Sequence, residues 1–349
     1  MLTAPGPAGI HHLLRRTLGP AWDFISDGDH LEVRHRDHGT PYRPPRRLLP
    51  WAELLSVLED AFAEQGVLRV PVLPLRWGRE TELTISAIQA MDPVLKDGRT
   101  TPYRQGFIPQ PVVRLTAERL PTGALADGFL TSFVNTSRVE LIPDVKAYAT
   151  AFDELLTVLS RLGLHARHVS FHGRLAVWRR RQVEGVSLHF HHADMPVGDL
   201  VLLWNIDRPD RLILDLGTSL ERLAWARSRT SWCELIFGRL ATAAPFDVLD
   251  TLRTATLLIG NGIDPTARGA GSITRRLLRQ MPTGTVIPSM CRVVRENLLF
   301  WNLMQPAQRC WPDVATIMER EHARATGAAA SPRSSAMPVP STTPPAAAR

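Results

Sequence analysis

The chain has 349 residues, and at about 150 residues per domain this length predicts two domains, each able to bury its own core. With 44% hydrophobic and 21% charged residues, the composition excludes a disulfide-stapled mini-protein, and no apolar run approaches the roughly 20 residues of a membrane helix. The formal net charge of +7 has the sign of a protein that meets phosphate, and every basic residue except two lysines is an arginine.

Cysteine usage and the N-terminus indicate a compartment. Cys233, Cys291 and Cys310 are odd in number and lack a Cys-x-x-Cys pair, which favours neither a disulfide framework nor a cysteine zinc site. Pro5 and Pro7 interrupt what would be the apolar stretch of a signal sequence. We therefore expect a cytoplasmic protein that is not exported.

Residues 1–50 mix Pro, His and Arg around a weak helical pattern that includes Ile10 and Leu14. The stretch 42–47, rich in proline and arginine, is not compatible with a regular element. We predict that 1–50 is an N-terminal appendage and linker.

Regular patterns begin at Trp51, where apolar residues recur at helical spacing until Gly66 and predict a helix. Strand-like stretches follow at 67–75 and 82–88, and Asp144 is a suitable N-cap for a long amphipathic helix. The remaining predicted elements are strands at 168–171, 186–191, 200–204 and 212–216, and helical stripes at 246–259, 273–281, 291–303 and 311–318.

These elements divide the chain. Strands before and after one long helix predict an α+β domain over 51–235, with a mostly antiparallel sheet flanked by helices. Residues 236–326 read as a second, all-α domain, and 327–349, rich in Ala, Pro, Ser and Thr, as a disordered tail.

The stretch 213–223 combines an acid, a glycine and an arginine where a strand runs into a helix. Thr218 and Glu221 stand at capping-box spacing, and Gly217 permits close approach of a backbone. Together with Asp215 and Arg222, this arrangement suits an ammonium, an adenine ring and a phosphate. The alternative is a capped helix with a surface arginine.

The stretch 250–281 is strongly basic. It holds five arginines against Asp250 and Asp264, a net charge of +3. This pattern suits a phosphate-facing surface, and equally a solvated face of a charged helix.

Taken together, the two stretches resemble the alanyl-tRNA synthetase family at the same relative positions. Residues 214–223 are similar to its third class II motif, in which an Asp, a Gly and a Glu-Arg pair follow at this spacing. Residues 252–279 are similar to its tRNA-recognition region, with an Ile-x-x-Gly-x-x-Pro turn and a later Arg-Arg pair. Weaker matches at 82–97, 129–137 and 202–205 extend the resemblance over about 51–326.

The resemblance implies a class II synthetase-like sheet followed by an all-α tRNA-recognition domain. It further implies activation of alanine or a small analogue with ATP and Mg²⁺, and transfer to the acceptor stem of tRNA. Carried over by position, Asp215 and Arg222 are the catalytic candidates, and Arg222 also binds ATP. The other implied site residues are Asn205, Gly217 and Trp178 for the substrate, Arg114 for ATP, and Arg268, Arg275, Arg276 and Arg279 for tRNA.

Several positions depart from the family pattern. The second motif should carry an arginine before its aromatic segment, but 126–129 has none, and Arg119 and Arg138 flank the gap. Ala267 replaces an asparagine that reads the acceptor stem, and its methyl group forms no such hydrogen bond. The chain ends before the family's editing and C-terminal dimerising regions, so we expect a truncated member.

No metal site is predicted. His189, His191 and His192 lie close to Asp194, and alternate residues of a strand share a face. However, no third ligand of known spacing accompanies them.

Two hypotheses follow. The first is an aminoacyl-adenylate-forming ligase whose acceptor is tRNA, a carrier protein or a small molecule. The alternative is a catalytically impaired paralogue that binds tRNA or regulates another protein. The sequence leaves the amino acid, the acceptor and the oligomeric state open.

Overall fold

An antiparallel sheet organises the protein in a computed structural model, which describes residues 7–77, 81–281 and 290–326. Within these residues the sheet has nine strands, in the order β1-β2-β5-β7-β8-β9-β4-β3, with β6 paired to β7. The strands are β1 Trp22–Asp27, β2 His30–His35, β3 Gly106–Val113, β4 Ser132–Ile142, β5 Val169–Arg174, β6 Trp178–Arg180, β7 Val183–His192, β8 Met195–Asn205 and β9 Arg208–Ser219.

Helices cover the sheet and form a layer of their own, which confirms the α+β class. They are α1 Pro7–Leu18, α2 Trp51–Ala63, α3 Asp92–Leu95, α4 Val145–Arg161, α5 Leu220–Ser228, α6 Trp232–Phe237, α7 Phe246–Gly260, α8 Ala270–Arg279, α9 Met290–Trp301 and α10 Trp311–Ala325. Helices α7 to α10 pack around a shared apolar cluster, while Phe300 and Trp301 of α9 join the core beneath the sheet. None of the described helices is both long and apolar enough to cross a bilayer.

The two faces of the sheet differ because side chains alternate along each strand. On β9, Leu214 and Leu216 enter the core that α1, α2 and α4 share with the sheet. Ile213 lies on the opposite face, beneath a short 3-10 helix at Ala87–Met91 and α3. The 3-10 helix and α3 cover only part of this opposite face. Asp215 and Gly217 lie beyond them, where a cavity opens.

Several predicted elements are confirmed. The helix expected after Asp144 is α4, and the Asp144 carboxylate accepts a hydrogen bond of 2.9 Å from the amide of Ala147. The helix expected from Trp51 is α2. The four later strand candidates are β5, β7, β8 and β9.

Two predicted strands are wrong. The stretch 67–75 makes a single parallel bridge, from Arg69 to Phe107 of β3, because Pro71 and Pro74 have no amide hydrogen to donate. The stretch 82–88 instead enters the 3-10 helix, whose start Ser86 caps.

The N-terminal segment also differs from the expected appendage. Helix α1 buries Ile10 and Leu14 in the main core, and β2 pairs with β5 and extends the sheet. The hydroxyl of Tyr42 donates a 2.8 Å hydrogen bond to the carbonyl of Arg227 and fixes the expected linker to α5. The apolar alternation in β2 consists only of Leu31 and Val33, too short a signal to be recognised among polar neighbours.

Candidate functional site

A cavity of about 400 Å³ lies on the partly covered face of the sheet, a size typical of small-molecule sites. Strands β4, β7, β8 and β9 form its floor, and the loop between β3 and β4 and the first turn of α5 form its wall. The charged and aromatic side chains that line it are Arg114, Phe129, Phe133, His189, His191, Asp199, Asp215, Arg222 and Trp232.

Two carboxylates approach each other on the cavity floor. In the antiparallel pairing of β8 and β9, Val201 lies opposite Asp215, and Asp199 lies opposite Gly217. The two acids are therefore diagonal neighbours, about 7–8 Å apart at their Cα atoms. A Cβ on Gly217 would lie 3.0 Å from Asp199 Oδ1, so glycine makes room for this carboxylate.

The acids are desolvated. Burial and the neighbouring Asp199 together raise the pKa of Asp215 to about 8, against the opposing charge of Arg114. Burial also raises the pKa of Asp199, against the charges of His189 and the two cavity arginines. Within the described chain, Asp215 Oδ1 is buried without a hydrogen-bond partner. A ligand that brings a positive charge and N–H donors would satisfy this atom and restore the ionised form.

Two arginines also line the cavity, each lying over a phenylalanine ring. Arg114 follows β3, donates through Nε to the carbonyl of Ile85 at 2.7 Å, and lies 5.0 Å from the ring centre of Phe133. Arg222 donates through Nε to the carbonyl of Gly128 at 3.0 Å. Its guanidinium lies 4.9 Å from the ring centre of Phe129.

Both guanidinium groups remain cationic, although burial lowers the pKa of each. The Nε bonds and the stacked rings fix their planes. The arrangement suits an anion with an attached flat ring, such as a nucleotide phosphate.

Helix α7 anchors the β3–β4 loop, which forms part of the cavity wall. The carboxylate of Asp250 accepts a 3.0 Å hydrogen bond from the amide of Thr131, and that of Asp247 accepts one of 3.1 Å from the amide of Leu125. Burial raises the pKa of Asp250 to about 6, and the bond from Thr131 opposes this shift.

The predicted capping box is wrong by one residue. Strand β9 remains extended through Ser219, whose hydroxyl accepts a 3.1 Å hydrogen bond from the amide of Arg222. Thr218 instead donates to the carbonyl of Val197 at 2.8 Å. Glu221 is fully buried and forms a 2.6 Å ion pair with Arg253 of α7.

Asn205 and Trp178 lie outside the cavity. Asn205 is at the opposite end of β8, where its amide donates to the carbonyl of Leu95 at 2.6 Å and its oxygen accepts from the amide of Asp207. Trp178 is on the edge strand β6, 37% exposed, and donates to Ser187 Oγ at 2.9 Å. The geometry gives both residues structural roles, in place of the substrate contacts that the resemblance implies.

The proposed tRNA-binding arginines divide into two groups. Arg275 and Arg279 both donate through Nε to Glu321 of α10, at 3.2 and 3.0 Å. Arg268, Arg276 and Arg279 are exposed, although Arg279 shares its charge with Glu321. The positive charge that this surface offers to tRNA is therefore smaller than its arginine count indicates.

The histidines of β7 point to both faces. His189 and His191 line the cavity, whereas His192 is buried on the other side. Burial and the nearby Arg229 lower the pKa of His192 to about 3. Within the described ranges, no group of three or more His, Cys, Asp or Glu side chains is arranged to hold a metal ion.

Asp199 was missed by sequence reasoning. It immediately precedes the strand candidate at 200–204, and a lone acid before a strand carries no local signal. Only the pairing of β8 with β9 brings it next to Asp215.

Neither a protein-family model nor a curated protein matches the chain.

Proposed function

We propose that the protein activates an amino acid with ATP as an aminoacyl-adenylate, in the manner of a class II alanyl-tRNA synthetase, and transfers it to an acceptor. One observation carries the proposal: a single cavity holds two carboxylates together with two arginines that each lie over a phenylalanine ring. The acids match an α-ammonium group, and the arginines match the phosphates and base of ATP.

In this reaction, an oxygen of the amino acid's carboxylate attacks the α-phosphorus of ATP and pyrophosphate leaves. Asp215 would hold the ammonium group, while Arg114 and Arg222 would stabilise the negative charge that develops on the phosphates. An acceptor nucleophile then attacks the carbonyl carbon, and AMP leaves. Mg²⁺ would be bound mainly by the ATP phosphates and water, since it commonly retains several waters when it accompanies a nucleotide.

Arg114 is suited to replace the second-motif arginine, which this sequence lacks. The second-motif arginine is absent before Phe129 in the chain, but Arg114 reaches the same cavity from the other end of the β3–β4 loop. Arg138 is unsuited to this role, because it is largely buried and paired with Glu140 and Glu154.

The acceptor in this proposal is tRNA, a carrier protein or a small molecule, and we place the reaction in the cytoplasm. The exposed Arg268 and Arg276 favour tRNA. They also support the second candidate function, a tRNA-binding module without activation chemistry.

ATP–pyrophosphate exchange, measured across the amino acids with and without tRNA, tests the proposal. We expect exchange with at least one amino acid, and a loss of about 100-fold or more in Arg222→Ala, because charge stabilisation in the transition state is removed. Arg174→Ala, an exposed arginine on β5, is the matched control. If no amino acid supports exchange while tRNA still binds, the second function replaces the first.

A further inference from the structure

The cavity contains one carboxylate more than an α-amino group requires. Asp215 and Asp199 both line it, on adjacent strands, and among the described residues Asp215 Oδ1 is buried without a hydrogen-bond partner. The inference below rests on the proposed function and concerns which amino acid is activated.

The empty cavity carries a surplus of positive charge, because the raised pKa of Asp215 favours its neutral form beside Arg114 and Arg222. Arg114 and Arg222 oppose the two acids, and His189 lies opposite Asp199 in the pairing of β7 and β8. When ATP binds, its phosphates compete for both guanidinium groups, because phosphate forms strong charge-assisted hydrogen bonds with arginine. The α-ammonium of the amino acid then compensates one carboxylate and leaves the other in a desolvated site.

Leaving a partly buried carboxylate without a partner is costly, so a second cationic group on the ligand would bind favourably. Asp199 is positioned for it, because its Oδ1 lies over Gly217, beside Asp215 on the same face of the sheet. The acids are diagonal neighbours about 7–8 Å apart at Cα, a spacing that suits two ammonium groups separated by a short chain.

We propose that the amino acid activated in this cavity is a short diamino acid, whose side-chain ammonium is bound by Asp199 while Asp215 binds the α-ammonium. Asp199 is thus a specificity-determining residue, and alanine is a poor substrate.

Isosteric pairs of amino acids test this directly by ATP–pyrophosphate exchange. 2,4-Diaminobutyrate is compared with norvaline, and 2,3-diaminopropionate with 2-aminobutyrate, so that each pair differs only in an ammonium in place of a methyl group. We expect kcat/KM to favour the diamino member by about 100-fold. In Asp199→Asn this ratio falls toward one. Asp210→Asn, an exposed acid of β9 paired with Arg208, keeps it.

Asp199→Glu provides a second variant if the asparagine variant folds poorly. Its carboxylate is one methylene longer, so the preference shifts from 2,4-diaminobutyrate toward 2,3-diaminopropionate. Equal activation of norvaline and 2,4-diaminobutyrate by the wild type overturns the proposal. So does an unchanged preference in both Asp199 variants, because a group other than Asp199 would then recognise the side-chain ammonium.

Failure of the proposed function is distinguished by binding. If no amino acid supports exchange, calorimetric titration of 2,4-diaminobutyrate and norvaline in the presence of α,β-methylene-ATP decides the inference. Tighter binding of the diamino acid that depends on Asp199 supports it even without adenylate formation. Equal or absent binding of the two rejects it.

Discussion

The two arginine-bearing stretches that stand out in the sequence have different uses in the structure. In the β9–α5 stretch, Arg222 lies in a cavity with its guanidinium accessible to a ligand. In the 250–281 stretch, Arg253 is fully buried against Glu221, and Arg275 and Arg279 bind Glu321. A net charge counted along the sequence therefore does not give the potential at the surface, because ion pairs neutralise part of it, fully buried for Arg253 and partly exposed for Arg275 and Arg279.

The 250–281 stretch nevertheless stabilises the site that the β9–α5 stretch helps to form. Asp247 and Asp250 of α7 hold the loop that forms the cavity wall, and Arg253 holds the residue that precedes Arg222. The charged residues of α7 thus assemble the site, and the residues of α5 and β9 face the ligand.

The largest expected effect concerns the buried ion pair between Glu221 and Arg253. Glu221→Gln leaves Arg253 charged and buried without its carboxylate, which we expect to lower the free energy of unfolding by about 3–5 kcal/mol. Arg275→Ala breaks a partly exposed pair and should cost less than about 1 kcal/mol. Urea denaturation measures both. If both changes lower the free energy of unfolding equally, the contrast between the two pairs is refuted. Combining Glu221→Gln with Arg253→Met should recover part of the lost free energy, because no buried charge then remains.

The second-largest expected effect compares Arg114, which lines the cavity, with Arg119, which lies elsewhere in the same loop. Arg114→Ala removes a guanidinium that faces the cavity and should reduce ATP–pyrophosphate exchange by about 100-fold. Arg119→Ala, in the same loop, removes a side chain that donates to the carbonyl of Gly123. We expect this control to reduce exchange by less than about threefold, consistent with a surface change. Equal losses would show that the loop conformation, and not the Arg114 charge, matters.

A third effect follows from the raised pKa of Asp215. Between the unfolded value of 3.8 and the folded value of about 8, the native state binds more protons than the unfolded state, so this residue's contribution to stability falls as pH rises. Asp215→Asn removes the ionisable group and should stabilise the protein by roughly 1–2 kcal/mol at pH 8, with a smaller gain near pH 4. Thermal unfolding across this pH range is the measurement. A gain that does not depend on pH would show that the asparagine acts through packing.

The smallest expected effect concerns the exposed arginines. Arg268→Ala with Arg276→Ala should weaken tRNA binding a few-fold and reduce the slope of log K against log salt by about 1–2, because each phosphate contact contributes roughly 0.7–0.9. Arg275→Ala, whose side chain binds Glu321, is the matched control. Fluorescence anisotropy at several salt concentrations measures the slope, and an unchanged slope would mean that tRNA does not contact this helix.

How much of the fold could be predicted depended on how apolar each element is. Helix α4 and strands β7 to β9 carry long apolar patterns and were recognised. Strand β4 was not predicted as a strand, because its central Asn135, Thr136 and Ser137 are polar yet buried. The side chain of Asn135 finds its partners, the carbonyl of Thr218 and the amide of Ala87, in distant parts of the chain.

The site was predictable where its residues are close in sequence. Asp215, Gly217 and Arg222 lie within one strand and the following turn, and they do share the cavity. Asn205 and Trp178 were assigned by resemblance, but neither lies at the cavity. Asn205 is at the opposite end of β8, and Trp178 is on the edge strand β6. Strand pairing decides such positions, and it is not visible in local periodicity.

One further consequence follows from the direct passage of β9 into α5. Ser219 is still paired with Asn135 in the sheet, and the helix begins at Leu220. No loop intervenes between Asp215 and Arg222, so backbone hydrogen bonds set the distance between them. Under the proposed chemistry, this fixed spacing selects the length of the ligand backbone: a β-amino acid, one carbon longer between nitrogen and carboxylate, would place its carboxylate out of line with the α-phosphorus.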